Sequence, residues 1–243
     1  MAQNIYDDPH FFARYSRLPR SVEGLGGAPE WPALRALLPD VTGRRVVDLG
    51  CGFGWFCRWA ASHGAASVVG IDLSGNMLDR ARADTDNPSI SYEQQDLDAL
   101  DVSGAAFDVA YSSLALHYLG NLGQLFATVH RALVPGGAFV FSVEHPVFTA
   151  PSAPGFVAGT AGRSVWPLDR YLDEGPRVTD WLAPGVVKHH RTIATYVSLL
   201  FQAGFKMAAL DEWGPTEDQI AEVPEWAIER ERPPFLLVAA HHA

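Results

Sequence analysis

The stretch Val46-Val47-Asp48-Leu49-Gly50-Cys51-Gly52-Phe53-Gly54 decides the fold of this chain. Three apolar residues and one acid lead into three glycines that alternate with other residues, and residues 55–62 then read as a helix. A buried strand that ends in a glycine turn and opens a helix is the first unit of a nucleotide-type α/β fold. Because position 55 is Trp, the pattern is G-x-G-x-G and not the pyrophosphate-binding G-x-G-x-x-G.

Strand and helix patterns alternate along the rest of the chain. Ser74 and Thr192 stand before apolar-periodic runs and are expected to cap helices. Five strands that alternate with helices imply a doubly wound α/β fold with a mostly parallel, right-handed sheet. The strands after the first are predicted over residues 67–71, 90–95, 107–111, 138–143, 205–211 and 235–240.

Composition divides the chain into four segments. Residues 1–40 mix aromatic and charged side chains and are expected to form an N-terminal helical lid. Residues 41–143 form the predicted cofactor-binding core, and residues 191–243 add a helix and a strand hairpin that complete it. Residues 144–190 follow the fifth strand, break its periodic pattern and are too long for an ordinary connection. We expect them to form a cap or substrate insertion over the strand ends.

Charge and cysteine usage limit the classes of partner. The formal net charge is −10, which argues against nucleic acid and anionic membrane surfaces as partners. Cys51 and Cys57 flank the first helix start and are expected to be reduced core thiols of a cytoplasmic protein. Residues 1–20 lack the apolar run of a signal peptide, and no run reaches the length of a transmembrane helix. We expect a monomer or a homodimer.

The predicted strand ends carry polar residues where the ligand of an open α/β sheet binds. Asp72 stands about twenty residues beyond the glycines, where an acid accepts hydrogen bonds from both hydroxyls of a ribose. Asp96 ends the third strand, where a carboxylate can accept a hydrogen bond from an adenine amine. Apolar side chains nearby are placed to sandwich the flat base: Leu73, Met77 and Leu97.

These residues and several later stretches resemble the ordered motifs of class I S-adenosylmethionine-dependent methyltransferases. The resemblance is to the small-molecule branch with a methyltransferase type 11/12 core. It is strongest over residues 44–143 and extends more weakly over 190–240. It implies a Rossmann-like sheet of seven strands with an antiparallel C-terminal strand, which agrees with the last two predicted strands. The motifs are VVDLGCGFG, GIDLS, QQDLDAL, FDVAYSSLALHY and LVPGGAFVFS.

The resemblance implies S-adenosylmethionine as the cofactor and S-adenosylhomocysteine as its product. At the methionine end, Gly50, Cys51 and Gly52 are implied to make backbone contacts, with Asp48 ordering the loop. Ser112 is implied to supply backbone near the sulfonium.

At the adenosine end of the cofactor, the resemblance assigns one role to each residue. Asp72 is implied to hold the ribose. Leu73 and Met77 are implied to pack on the adenine, and Asp96 with Leu97 to read its amine edge.

Methyl transfer from a sulfonium needs little acid or base catalysis by the protein. Displacement at a cationic sulfonium needs mainly proximity and alignment, and a general base matters only where the acceptor must lose a proton. His117 and His145 follow the fourth and fifth strands and are the candidate catalytic residues, because both are expected to face the methyl group. The spacing of His145, His189 and His190 matches no metal-ligand motif, so no metal site is predicted.

The methyl acceptor is expected to be a small molecule held under two segments of the chain. Residues 1–30 and 144–190 are both rich in aromatic side chains, and apolar walls are typical of small-molecule sites. We expect a pocket between them with His117 and His145 at its floor and Tyr15 near the methionine end of the cofactor.

Three alternatives stay open at this point. A nicotinamide-dependent oxidoreductase shares the acid after the second strand, but Trp55 in place of a glycine and Asp96 speak against it. A nucleic-acid amino-methyltransferase would carry Asn- or Asp-Pro-Pro-Tyr where Ser112-Ser113-Leu114-Ala115 stands. A non-catalytic S-adenosylmethionine-binding protein would keep the same motifs.

Overall fold

The computed structural model describes residues 3–102 and 104–243, without the side chain of residue 161. Residues 1 and 2 of the predicted lid and residue 103 of the predicted core lie outside the described residues. The main sheet has seven strands: β1 (Arg45–Leu49), β2 (Ser67–Asp72), β3 (Ile90–Gln94), β4 (Phe107–Ser113), β5 (Leu133–Glu144), β10 (Phe205–Trp213) and β11 (Phe235–His242). Two short antiparallel hairpins account for the other strands: β6 (Val157–Ala158) with β7 (Ser164–Val165), and β8 (Gly175–Thr179) with β9 (Val186–His190).

The strand order confirms the predicted fold class. The order is β10-β11-β5-β4-β1-β2-β3, with β1 to β5 mutually parallel and β11 antiparallel to both of its neighbours. The chain adds β2 and β3 on one side of β1 and then returns to add β4 on the other side. The direction in which successive strands are added therefore reverses between β1 and β4. Ligands of open α/β sheets bind beyond the strand ends at such a point.

Helices cover both faces of the sheet. The α-helices of the described residues are α1 (Pro9–Tyr15), α2 (Pro19–Val22), α3 (Trp31–Ala36), α4 (Trp55–Ser62), α5 (Gly75–Ala83), α6 (Leu122–Ala132), α7 (Pro146–Thr149), α8 (Ile193–Ala203) and α9 (Glu217–Glu222). Of these, α3, α4 and α5 pack on one face, and α6 and α8 pack on the other. The predicted caps form: the Met77 amide donates to Ser74 Oγ at 3.1 Å, and the Thr195 amide donates to Thr192 Oγ1 at 3.1 Å.

Two hydrophobic clusters lie on opposite faces of the sheet. One contains Phe126 of α6, Tyr196 of α8 and Phe139 of β5, and the other contains Phe56 of α4 and Val140 of β5. Adjacent residues of β5 therefore point into different clusters, as expected for a strand buried on both faces.

Two predicted boundaries are wrong. The fifth strand was predicted over residues 138–143, but β5 begins at Leu133. Leu133 pairs with Phe107, and the register then shifts so that Ala138 pairs with Val109. The Pro-Gly-Gly turn is thus accommodated inside an irregular strand.

The second difference lies between β10 and β11. No element was predicted between the strands over residues 205–211 and 235–240, but the chain there contains α9 and a 3-10 helix, Pro224–Glu231. The Thr216 hydroxyl and the Gln219 side chain form a capping box at the start of α9, which explains why a helix begins there.

No helix in the described part of the chain is long and apolar enough to cross a membrane.

Candidate functional site

A cavity of about 430 Å³ opens at the carboxyl ends of the parallel strands. Its lining joins the glycine turn after β1 with residues that follow β2, β3 and β4. On the other side it is lined by side chains from the N-terminal helices, from the start of the insertion and from the segment between β10 and β11.

The glycine turn brings the backbone close to this cavity. Gly50 has φ +81° and Gly52 has φ +53°, and both line the cavity. A Cβ at Gly50 would lie 2.3 Å from the Cβ of Ala115, so only glycine fits there without a shift. The amides of Gly50 and Cys51 both donate to the Ile71 carbonyl, at 2.8 and 3.0 Å, which ties the turn to β2.

Asp72 links the end of β2 to the glycine turn. Its Oδ2 accepts a hydrogen bond from the Gly52 amide at 2.8 Å, and its Oδ1 accepts one from the Ser74 amide at 2.9 Å. Burial raises the pKa of Asp72, while these backbone hydrogen bonds act to lower it. A carboxylate has about four lone-pair positions, so Asp72 keeps acceptor capacity toward a ligand in the cavity that it lines.

The remaining residues predicted for the adenosine end lie together. Leu73, Met77, Asp96 and Leu97 all line the same cavity. Asp96 begins a 3-10 helix, Leu97–Ala99, by accepting a hydrogen bond from the Asp98 amide at 2.9 Å. The structure therefore brings the predicted acids and apolar side chains to one wall.

Asp48 and Cys51 line a smaller neighbouring cavity of about 100 Å³ instead. This cavity shares Tyr15, Gly50 and Gly52 with the larger one, so the two meet at the glycine turn. Burial raises the pKa of Asp48 to about 7, and the Cys57 thiol donates to its Oδ2 at 3.3 Å. Cys51 and Cys57 are free thiols, as expected.

The position expected for Ser112 needs correction. Its side chain is fully buried, and its hydroxyl donates to the Leu49 carbonyl at 2.6 Å, which connects β4 to β1. Ser112 is not among the described residues that line either cavity; Ser113, Leu114 and Ala115 line the larger one. β4 ends at Ser113, two residues beyond the predicted end at residue 111, so the residues that line the cavity are those after Ser112.

The two candidate histidines have different surroundings. His117 is buried and lines the larger cavity. Burial, with the positive charges of Lys188 and Arg191, lowers the pKa of His117 well below its ordinary value. Its Nδ1 accepts a long hydrogen bond, 3.4 Å, from the Glu144 amide. In the neutral ring the proton is then on Nε2, which makes His117 a hydrogen-bond donor there rather than a base.

His145 does not belong to the cavity wall among the described residues, contrary to its expected place at the floor. Its Nδ1 accepts a hydrogen bond from the Val147 amide at 3.0 Å and caps α7. Its Nε2 lies 2.9 Å from Glu212 Oε1, which fixes Nε2 as the donor. With both ring nitrogens engaged, His145 holds α7 against β10. In the described ranges, no group of three or more His, Cys, Asp or Glu side chains is arranged to hold a metal ion.

The N-terminal helices lie over the cavity. Asp7 accepts hydrogen bonds at the start of α5, from the Ser74 hydroxyl at 2.5 Å and from the Asn76 amide at 3.1 Å. Tyr6 and Tyr15 line the cavity, and the Tyr6 hydroxyl donates to the Tyr118 hydroxyl at 3.3 Å.

The same helices contact the insertion. The Phe11 and Tyr15 rings lie 5.5 and 6.3 Å from the ring of Trp181, and Arg14 donates to the Leu182 carbonyl at 2.8 Å. The first and third predicted segments therefore meet above the strand ends.

Comparison with known proteins identifies this arrangement. A family model for a methyltransferase domain matches residues 47–141. An S-adenosylmethionine-dependent methyltransferase of known structure from Mesorhizobium loti is 59% identical with a TM-score of 0.87, over 90% of this chain and 100% of that one. The chain belongs to the class I S-adenosylmethionine-dependent methyltransferases.

Two further proteins are similar to this methyltransferase. A structure described as a putative S-adenosylmethionine-dependent methyltransferase from Listeria monocytogenes is 41% identical with a TM-score of 0.80, over 88% of this chain and 98% of that one. A trans-aconitate 2-methyltransferase from Deinococcus radiodurans is 38% identical over 111 residues, which are 45% of this chain and 42% of that enzyme. The chain thus matches less than half the length of that enzyme.

The segment between β10 and β11 forms a wall of the methyltransferase that the sequence patterns did not indicate. Trp213, Trp226 and Arg232 all line the larger cavity. Only residues 1–30 and 144–190 were expected to cover the ligand, and of the insertion's aromatic side chains Phe148 and Trp181 line the cavity. The tryptophans in the 213–235 segment were the available signal, since large aromatic residues are unusual in a purely connecting loop.

Arg20 is the other residue that sequence reasoning missed. It lines both cavities of the methyltransferase, and its guanidinium makes two hydrogen bonds to the carboxylate of the buried Glu30, at 3.1 and 3.2 Å. No motif distinguishes Arg20 in the sequence, because Glu30 is brought to it only by the packing of α2 and α3.

Proposed function

We propose that this methyltransferase transfers the methyl group of S-adenosylmethionine to a small molecule bound in the same cavity. The observation that carries the proposal is the continuity of that cavity. It runs from the glycine turn and the acids Asp72 and Asp96 to the aromatic side chains of Trp213 and Trp226. A polar half at the strand ends, which fits a nucleoside, and a half rich in aromatic side chains, which fits a small molecule, belong to one cavity.

The residues at the strand ends fit the cofactor. In the proposal, Asp72 accepts hydrogen bonds from the ribose hydroxyls with its remaining lone pairs. Asp96 and Leu97 read the adenine edge, while Leu73 and Met77 pack on its faces.

The methionine end of the cofactor is assigned to the glycine turn. Gly50, Cys51 and Gly52 contact it through the backbone, which approaches closely because the turn has no room for a Cβ at Gly50. Tyr15 covers this end, and Asp48 supports the turn from the smaller cavity.

When bound, S-adenosylmethionine supplies a methyl group that is already activated on a sulfonium. The residues of this chain then have to orient the acceptor and exclude water. Tyr6, Tyr118 and Trp181 close the cavity above the strand ends. His117, neutral because burial lowers its pKa, holds its proton at Nε2 and orients the acceptor as a hydrogen-bond donor. No role in the reaction is assigned to His145.

A relative supports a small-molecule acceptor. The Deinococcus radiodurans enzyme is named for methylation of trans-aconitate, and it aligns with 45% of this chain at 38% identity. The N-terminal segment acts in the proposal as a lid, and residues 144–190 as a partial cap.

Ligand binding and turnover test the proposal together. S-adenosylhomocysteine should raise the melting temperature in proportion to the logarithm of its concentration, whereas NADH should not. Transfer of the methyl group from labelled S-adenosylmethionine to a panel of small acceptors should then give labelled product. Stabilisation by NADH alone would support the oxidoreductase alternative, and binding without transfer to any acceptor would support a non-catalytic binding protein.

A further inference from the structure

Arg232 is a buried cation whose hydrogen-bonding capacity is largely unused. Its residue is 6% exposed, and its guanidinium carbon lies 4.3 Å from the centre of the Trp166 ring and 4.5 Å from that of Phe148. Nη1 donates to Glu229 Oε2 at 2.6 Å, while the buried Nε has no hydrogen-bond partner among the described residues. Because the aromatic rings contact the faces of the guanidinium, its edge keeps N–H groups for another partner.

Glu144 lines the same cavity and has an unused hydrogen-bond acceptor, whereas Arg232 has an unused donor. It ends β5, and its Oε1 accepts a hydrogen bond from Lys188 Nζ at 2.5 Å. Its Oε2 is buried and has no hydrogen-bond partner within the described part of the chain. An unused carboxylate oxygen accepts hydrogen bonds only, so it fits an O–H or N–H group.

Both residues line the larger cavity, which makes their unused atoms informative. Buried polar atoms without a partner destabilise a protein, and native structures keep few of them. In the structure itself both atoms are buried, and a ligand in the cavity gives both a partner if each side chain turns slightly toward it. Burial lowers the pKa of Arg232, and the charge and hydrogen bond of Glu229 and then the charge of Glu144 oppose that lowering.

We propose that Arg232 and Glu144 select the methyl acceptor, which carries an anionic oxygen group for Arg232 and a hydroxyl or amine for Glu144. The inference rests on the proposed function, because it names the substrate class of that same site. The guanidinium edge suits a carboxylate, to which it can donate two parallel hydrogen bonds. Between its two polar ends the acceptor is proposed to be apolar, since Trp213, Trp226 and Phe235 also line the cavity.

Apart from the acids assigned to the cofactor, the other charged side chains on the wall are Arg20 and Glu229, and Glu229 is already paired with Arg232 itself. Arg20 already makes two hydrogen bonds to Glu30, and the Tyr6 and Tyr118 hydroxyls bond to each other. Among the described residues that line the larger cavity, Arg232 and Glu144 are the ones that keep a buried polar atom without a hydrogen-bond partner.

Binding of a matched series of probes tests the proposal without requiring turnover. The probes are ω-hydroxyalkanoates of increasing length, the alkanoates that lack the hydroxyl, and the diols that lack the carboxylate. Each is titrated by calorimetry into the full chain saturated with S-adenosylhomocysteine. The hydroxyalkanoate should bind tightest at one length, and removal of either polar end should weaken binding by about tenfold to a hundredfold.

Variants assign each polar end to its residue. Arg232→Met should remove the preference for the hydroxyalkanoate over the diol, and Arg232→Lys should restore part of it because the charge remains without the planar fork. Glu144→Gln should reduce the preference for the hydroxyalkanoate over the alkanoate. Because Glu144→Gln leaves Lys188 buried without its ion pair, the double variant Glu144→Gln/Lys188→Met keeps the test valid if the single variant is unstable.

Arg163→Met is the matched control. Arg163 is an exposed arginine that lies 3.8 Å from Glu231, and it does not line the cavity. This variant should leave every preference unchanged. The proposal is overturned if no probe binds to the wild type, if diols bind as well as hydroxyalkanoates, or if Arg232→Met keeps the preference for the anion. Failure of S-adenosylhomocysteine to bind would instead contradict the proposed function, so the two failures are distinguishable.

Discussion

The two halves of the cavity are built in different ways. In the half proposed for the cofactor, called here the cofactor half, the lining residues from Gly50 to Leu97 lie in one continuous part of the chain, at or soon after strand ends; the half proposed for the acceptor is called the acceptor half. In the acceptor half, the lining comes from three separated segments and consists mainly of side chains. Gly50 acts through the position of its backbone, whereas Arg232 acts through the far end of a long side chain held by three aromatic rings.

This difference shows which part of the site is tied to the fold itself. Parallel strands that end at one edge create the cofactor half whenever the sheet forms. The acceptor half depends on irregular segments that can change without disturbing the sheet. We therefore expect variants of the cofactor half to affect stability and cofactor affinity, and variants of the acceptor half to affect only acceptor binding.

Removing residues 1–18 should have the largest effect, because this segment covers both halves. We expect the sheet to fold and turnover to fall by at least about a hundredfold, with weaker cofactor binding, since the acceptor is no longer aligned or shielded from water. Circular dichroism, calorimetry with S-adenosylhomocysteine and a methyl-transfer assay measure the three quantities. Asp7→Ala, which removes only the contacts to the start of α5, should give a smaller loss. A fully active truncated protein would show that the segment is not a lid.

Asp48→Asn should stabilise the protein increasingly as the pH rises. The pKa of Asp48 is raised to about 7 when folded, above its ordinary value of 3.8, so the folded state holds the proton more tightly. The contribution of Asp48 to the free energy of unfolding is full below the pKa of the unfolded state. It is lost as the pH rises through the pKa of the folded state. The asparagine variant does not titrate. Its advantage should be small near pH 3, grow steadily between about pH 4 and pH 7, and reach about 4 kcal/mol above pH 8.

Denaturant unfolding of Asp48→Asn and wild type at several pH values measures this advantage. A difference that does not change with pH would mean that the Asp48 carboxyl is not perturbed.

Gly50→Ala should destabilise the protein by about 3 kcal/mol, from left-handed backbone strain and from overpacking. The added Cβ would lie 2.3 Å from that of Ala115. Gly43→Ala is the matched control, because Gly43 has φ +69° but nothing within 4 Å of its added Cβ. It should cost about 1–2 kcal/mol. Equal unfolding free energies for the two variants would show that the close approach at the turn does not matter.

Asp72→Ala should weaken binding of S-adenosylmethionine by about 2–3 kcal/mol, because hydrogen bonds to a charged acceptor are lost. Calorimetry measures the affinity. Asp79→Ala changes another aspartate close in sequence, on α5, whose carboxylate pairs with Arg82 and is 81% exposed. It should leave the affinity unchanged. If Asp72→Ala binds the cofactor as the wild type does, Asp72 does not hold the ribose.

Trp226→Ala should have the smallest effect on the cofactor. We expect the affinity for S-adenosylhomocysteine to stay within about twofold of the wild type, because Trp226 lines the acceptor half. Binding of the best hydroxyalkanoate should weaken by about tenfold through loss of apolar contact. A similar loss for both ligands would contradict the separation of the two halves.

The sequence was sufficient for the sheet, the glycine turn, the acids Asp72 and Asp96 at the strand ends, and the methyltransferase family. These features depend on patterns within short stretches: hydrophobic period, a turn that requires glycine, and a polar residue where a strand stops. The same reasoning placed His117 after β4, where it lines the cavity.

Only the tertiary structure determined which residues line the proposed acceptor half and which hydrogen bonds the two candidate histidines make. Glu144 and Arg232 meet one cavity because β5 and β11 are neighbours and because the segment before β11 folds back over the strand ends. His145 caps α7 because Glu212 of β10 reaches its ring. Such contacts join residues far apart in the chain through irregular segments, and local patterns contain no information about where those segments return.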